Sequence, residues 1–295
     1  MYLKKSIMNC TENYWDNIEK MKEWIENADA IVIGAGAGLS ASAGLLYGGE
    51  RFQKLFSDFI QQYHLTDMYS SAFYPFETLE EYWAYFSRHI YHNRYESEVN
   101  DCYGKLLEMV QDKNYFVITT NADHLFIKSG FEKERLFYTQ GDYGLLQCSE
   151  PCHKETYDNR ELIYEMVEKQ RDFKIPSALI PRCPRCGKLM EVNLRKDSTF
   201  VEDEGWQRAR DRYEKFVTEN LMENSTKNIL FLELGVGYNT PIIIKYPFWQ
   251  MTYKHEQAKY ICLNKDQAAC PKEIENRAIC MNADIYEVIS CLVEK

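Results

Sequence analysis

Three sets of residues in this sequence have types and spacings that could do chemistry. The first is a glycine run, Gly34-Ala35-Gly36-Ala37-Gly38, followed by Leu39-Ser40-Ala41-Ser42-Ala43-Gly44 and preceded by the apolar stretch Ala30-Ile31-Val32-Ile33. Cradling a pyrophosphate needs backbone N–H groups that approach the ligand closely, and glycine permits that approach. The same residues also suit a plain strand-to-helix turn, but several glycines directly behind an apolar strand favour the cradle. The second set is two cysteine pairs, Cys148-Ser149-Glu150-Pro151-Cys152 and Cys183-Pro184-Arg185-Cys186-Gly187. Four thiolates in two short-spaced pairs fit a tetrahedral structural zinc site, which is closed and therefore holds a module together without reacting. Cys10, Cys102, Cys262, Cys270, Cys280 and Cys291 lie in or beside apolar or helical segments and read as incidental.

A third pair, Asn121 and Asp123, ends the apolar run Tyr115-Phe116-Val117-Ile118-Thr119-Thr120. A strand-end Asn-x-Asp often caps the next helix. Beside a phosphate cradle, the same groups could hold a ribose, an amide or a water.

The elements that must position these residues alternate between strand and helix. A helix is expected from about Asn13 to Asn27, with Trp15, Ile18, Met21, Lys22 and Ile25 near one face. Short apolar runs at 30–33, 115–120, 136–139, 228–234 and 260–263 read as buried parallel strands, several ending in polar residues or glycine. Charged helices are expected from about Asp158 to Phe173 and Glu204 to Met222, and a last helix from about Ala283 to Val293. The aromatic-rich stretch from Leu45 to about Asn100 shows little alternation and reads as a helical insertion packing over the sheet. This pattern describes an α/β fold, a Rossmann-type doubly wound parallel sheet with a smaller helical and zinc-binding module. The expected divisions are a core of about 28–48, 101–146 and 225–295, a helical insertion at 49–100 and a zinc module at 147–224, in one catalytic domain of 1–295.

Bulk properties exclude several classes. A net charge of −10 without a basic block argues against nucleic acid. No apolar stretch reaches the ~18 residues of a membrane span. The N-terminus has lysines but no signal-peptide apolar core, and ten cysteines without such a signal point to a reducing, cytoplasmic setting.

Taken in order, the motifs resemble the sirtuin family, whose members carry G-A-G-[IL]-S, T-x-N-x-D-x-L, an H-G dipeptide, two cysteine pairs and a late I-N. The matching residues here are Gly36 to Ser40, Thr119 to Leu125, Gln140-Gly141, the four zinc cysteines, Ile261 to Asn264, and Ala283-Asp284 for a final G-D. The resemblance spans residues 30 to 290. It implies NAD as co-substrate, with the pyrophosphate at the N–H groups around Gly36 to Leu39 and Ser40 as a hydroxyl donor. It also implies that Asn121 orders the ribose, that Asp123 holds the nicotinamide carboxamide, and that Asn264 and Asp284 lie on the adenosine side. Gly34, Ala35, Ala37, Gly38 and Gly235 complete the expected cofactor set.

The departures are as informative. The histidine that serves deacylating sirtuins as a base is Gln140 here, and an amide has no usable pKa for that work. The S-G-I-P-D-F-R stretch has become Ala43 to Gly49, and Gly235 to Pro241 matches the family's G-T-S-L-x-V-x-P only loosely. These changes resemble the macrodomain-linked (class M) branch. That resemblance implies NAD-dependent ADP-ribosyl transfer to a lipoyl-carrier protein, reversed by a macrodomain hydrolase. Gln140 would position ribose hydroxyls or the acceptor without taking a proton. Arg195, just past the second cysteine pair, is a candidate for the acceptor cleft or a solvated charge. The alternatives are an NAD-dependent lysine deacylase and a non-catalytic NAD-sensing module. A dehydrogenase is disfavoured, since no clear acidic residue at the second strand end is available to take the adenosine ribose in the usual Rossmann way, and the zinc module has no purpose in it.

Overall fold

The computed structural model describes residues 2–221 and 226–294, with side chains from Tyr14 onward. The side chain of Cys10 and the residue Met222 lie outside the described set. The chain runs through helix α1 (Tyr2–Glu26), strand β1 (Ala30–Ala35), the short α2 (Ala37–Ser42), then α3 (Gly49–Tyr63), α4 (Met68–Ser71) and α5 (Leu79–Ile90). Next come α6 (Cys102–Val110), β2 (Tyr115–Thr119), α7 (Leu125–Lys128), β3 (Leu136–Tyr138), β4 (Gly141–Cys148), β5 (Tyr157–Asp158), α8 (Arg160–Lys169) and β6 (Met190–Leu194). The rest is α9 (Glu204–Asn220), β7 (Ile229–Leu234), α10 (Lys245–Lys254), β8 (Lys259–Asn264), β9 (Ala278–Asn282) and α11 (Ile285–Val293).

Six strands form one parallel sheet in the order β3-β2-β1-β7-β8-β9. Side chains alternate across a strand, so each strand feeds two cores. Ile31, Ile33, Val117, Leu230, Leu232 and Ile261 face α1, α6 and α11, while Val32, Phe116, Phe231 and Tyr260 face α9 and α10. With both faces covered, the strands read as continuous apolar runs. The chain builds outward from β1 to β3, then returns to β7 on the other side of β1. The loops after β1 and β7 therefore diverge at the carboxyl edge, where open α/β sheets bind ligands. Two core elements carried no clear sequence signal. β9 is a short edge strand, and α10 holds Pro247 in its first turn, where the missing N–H costs nothing.

The aromatic insertion packs differently from expectation. Phe52, Phe56, Phe59, Trp83, Tyr85 and Phe86 share a core with Leu146, Cys148, Ile163, Met190 and Val192 of the second module, not with the parallel sheet. Both faces of that sheet are already occupied, whereas the three-stranded antiparallel sheet β5-β4-β6 has an apolar side to cover. β4 starts at Gly141 and pairs with β6, so the second module takes up the chain directly at the Gln140 turn. Conversely, α9 lays Trp206, Ala209, Tyr213 and Phe216 on the parallel sheet and packs as a core-layer helix.

Candidate functional site

The glycine run does three separate jobs. Gly34 lies inside β1, where a Cβ would stand 2.3 Å from Ile244 Cγ2, so its absence makes room for α10. Gly36 and Gly38 interlock with Gly235, which has φ +63°. A Cβ on Gly38 would stand 2.6 Å from Gly235 Cα, and one on Gly36 would stand 2.7 Å from Gly235 O. The Gly38 N–H donates to Gly235 O at 2.9 Å and the Leu39 N–H to Gly36 O at 3.0 Å. Those two donors are thus engaged within the protein. Ala35 and Leu39 are buried in the sheet core.

A cavity of about 1000 Å³ opens beside this turn, at the upper end for small-molecule sites. Gly36, Ala37, Ser40, Asn121, Asp123, Gln140 and Arg195 all line it, from the segments that follow β1, β2, β3 and β6. Gly34, Ala35, Gly38, Leu39, Gly235, Asn264 and Asp284 do not. Asn264 Nδ2 donates to Val236 O at 3.2 Å at the end of β8. Asp284 caps α11 through the N–H groups of Tyr286 and Glu287, and accepts from Ser42 Oγ at 2.9 Å. Loop residues Gly237, Asn239 and Thr240 also line it.

At the cavity floor four polar groups bind one another. Ser40 Oγ donates to Asp123 Oδ2 at 2.5 Å, accepts from Asn121 Nδ2 at 3.0 Å and lies 2.8 Å from Tyr103 Oη. Its hydroxyl is therefore committed to the protein in this structure. Asn121 Nδ2 also donates to Gly36 O, so both amide hydrogens are used and Oδ1 remains as the acceptor for a ligand. Asp123 accepts from the Leu125 N–H at 3.0 Å, which makes it both cavity wall and cap of α7. Burial raises its pKa, while Ser40 and the Leu125 amide oppose the rise.

Gln140 sits between this cavity and a smaller one of about 450 Å³, lined also by Arg195, Trp206 and Pro241. The following Gly141 has φ +94°, and a Cβ there would meet Asn193 O at 1.9 Å, so the turn requires glycine. Arg195 donates its backbone N–H to Gln140 O at 3.0 Å. Its guanidinium pairs with Glu202 at 2.6 Å and lies 4.4 Å from the Phe200 ring centroid. It is at the site, but its charge is already matched.

Below Gln140, Asp142 accepts from Arg94 Nε at 2.8 Å and the Gly144 N–H at 2.7 Å, with His124 Nδ1 at 2.9 Å. Burial pushes its carboxyl up, but His124 and Arg94 outweigh this and hold it at about 2. A depressed carboxyl stabilises the fold above its unfolded pKa and loses that contribution as pH falls through the folded value. Asp142→Asn is therefore expected to lower unfolding free energy by about 2 kcal/mol at pH 7. The gap should narrow as pH falls from about 4 towards about 2. Denaturant melts at pH 7 and pH 3 check this, and a gap that stays constant would contradict it.

The four cysteines Cys148, Cys152, Cys183 and Cys186 converge, with all sulfurs within 4.8 Å of one another. Cys148–Cys186 and Cys152–Cys183 are 3.7 Å apart, close to the S···S edge of about 3.8 Å that a zinc tetrathiolate implies. His153 stands outside the set, with Nδ1 2.9 Å from Cys152 Sγ and Nε2 2.8 Å from Tyr157 Oη.

The sequence reading missed the rest of the cavity wall, which includes Tyr47, Met68, Trp83, Phe86, His89 and Tyr143. Aromatic density was the available signal, and it does not separate a core from a cavity lining.

No family model matches the chain. A solved Sir2 structure with a p53 peptide and NAD+ shares its fold at a TM-score of 0.56 and 18% identity, covering 92% of this chain and 95% of that one. A protein ADP-ribosyltransferase of Staphylococcus aureus strain Mu50 is 42% identical over 273 residues, spanning 92% of this chain and 85% of the relative. The chain belongs to the sirtuin family. A probable bifunctional ADP-ribose hydrolase/ADP-ribosyltransferase of Fusarium oxysporum f. sp. cubense is 30% identical over 98% of this chain, which spans half that relative's length. This sirtuin is accordingly an enzyme of the protein ADP-ribosyltransferase kind. No helix among its described residues is long and apolar enough to cross a membrane.

Proposed function

We propose that this sirtuin breaks the nicotinamide–ribose bond of NAD and joins the ribose C1′ to a side chain of a carrier protein that bears a lipoyl arm. The observation that carries the reading is Gln140 at the meeting of the two cavities, where a deacylating sirtuin keeps its histidine. An amide orients ribose hydroxyls or the acceptor but accepts no proton. Asp123 does not replace it, because both oxygens are held by Ser40 and the Leu125 N–H. NAD supplies an electrophilic C1′ and a leaving nicotinamide, in chemistry akin to glycoside cleavage. Asn121 Oδ1 receives the ribose side, Asp123 walls the carboxamide end, and the Ala37 end of α2 lies nearest the phosphates. Asn264 and Asp284 support the adenosine side from behind the loop, as packing groups. Arg195 holds the Gln140 turn and borders the acceptor entrance.

Zinc at the four cysteines completes the second module structurally. The Sir2 structure with a p53 peptide supports a protein acceptor, and the bifunctional fungal relative supports a hydrolase counterpart. A reducing cytoplasmic setting belongs to the same proposal. The lipoyl requirement is tested by incubating the enzyme and NAD with one carrier protein prepared with and without its lipoyl group. Intact mass should rise by one ADP-ribose on the lipoylated form alone. Equal modification of both forms would remove the arm from the proposal, and loss of the acyl group instead would favour a deacylase.

A further inference from the structure

Beyond Asn121 and Gln140 the large cavity extends under the aromatic insertion, between α4, α5 and β6. Its walls there are Met68, Trp83, Phe86, Met190 and Val192. Among them lies His89, 1% exposed, with no hydrogen-bond partner at either ring nitrogen. Its neighbours are rings: Phe86 stacks on it at 5.5 Å, and Tyr143 and Tyr47 approach at 5.1 and 5.6 Å. The two tyrosine hydroxyls bond to each other at 3.0 Å and leave the imidazole unserved. A buried polar group without a partner is costly, and an aromatic cluster would be served better by phenylalanine.

Arg51 decides the sign of the missing partner. Its guanidinium donates to Leu46 O, His92 O and Asn93 Oδ1, and forms no ion pair with a carboxylate among the described residues. Burial, Arg51 and His92 hold His89 neutral, with its pKa lowered to about 3. A neutral imidazole has one donor and one acceptor nitrogen. Beside that cation, a ligand's acceptor atom is welcome and a ligand's ammonium is not.

We propose that His89 is the specificity-determining group of this site, donating its ring N–H to an acceptor atom carried part-way along an apolar acyl arm of the substrate protein. The inference rests on the arm-bearing acceptor of the preceding section. An apolar arm fills the aromatic walls, and His89 selects among arms of equal length by where they carry an acceptor.

The probe is a set of lysine peptides bearing an octanoyl arm, or the same arm with one methylene replaced by a ketone at successive positions. Binding to the full, zinc-loaded chain is read by fluorescence anisotropy without NAD, so no turnover intervenes. One ketone position should bind at least fivefold more tightly than its neighbours. The preference should flatten to within twofold in His89→Phe and return in His89→Gln, which keeps a donor. A flat series in the wild type, or a preference that survives in His89→Phe, overturns the proposal. If octanoyl itself binds while the series is flat, only the role of His89 fails. If no arm binds at all, the arm-bearing acceptor fails with it.

Discussion

Asn121→Ala is expected to slow nicotinamide release from NAD by about 10²–10³-fold, the usual loss when one preorganised polar contact to the reacting centre is removed. The side chain is fixed before any ligand arrives. Its amide hydrogens go to Gly36 O and Ser40 Oγ, which leaves Oδ1 as its remaining polar atom. Alanine removes that acceptor and also releases Ser40, whose hydroxyl orders Asp123. The loss should therefore fall on turnover more than on NAD affinity, since the turn around Gly36 and Gly38 is held independently by Gly235. Steady-state kinetics beside calorimetric titration of NAD separate the two. A rate within threefold of wild type would remove Asn121 from the reaction.

Cys183→Ser is expected to abolish metal binding and unfold the second module. Structural zinc in small domains contributes on the order of 10 kcal/mol of apparent binding free energy at pH 7. Here the loss would spread, because Cys148 and Cys183 are buried in the same core as Phe56, Trp83 and Met190. Removing the metal frees the β4 and β6 ends, and with them the wall under the aromatic insertion. The parallel sheet has its own two cores and should melt separately. Elemental analysis and a thermal melt check this, with one zinc per wild-type chain and an early additional transition in the variant. An unchanged melting curve after metal removal would contradict the structural role.

Much of the site was legible in sequence because its residues follow strands whose apolar runs are unmistakable. Asn121, Asp123 and Gln140 sit where β2 and β3 stop, so finding the strand found the residue. Roles were less legible than places. Ser40 and Leu39 match a family motif, yet one is committed to Asp123 and the other is core, since their partners come from 83 residues away and from the opposite helices. The destination of the aromatic insertion was not legible either. Its helices are amphipathic, and periodicity gives the buried face without naming what buries it; the parallel sheet was full, and β4 and β6 were not. β9 and α10 escaped notice for a local reason. One is a five-residue edge strand with partly exposed positions, the other a helix whose proline conceals its start.

The most direct measurement is nicotinamide release from NAD by the purified protein, with and without lysate from a cell that encodes it, with ADP-ribose traced by mass spectrometry. The transferase reading predicts release that depends on the lysate and one protein heavier by a single ADP-ribose. NAD binding with no release in either sample would contradict it and leave a sensor in place of an enzyme.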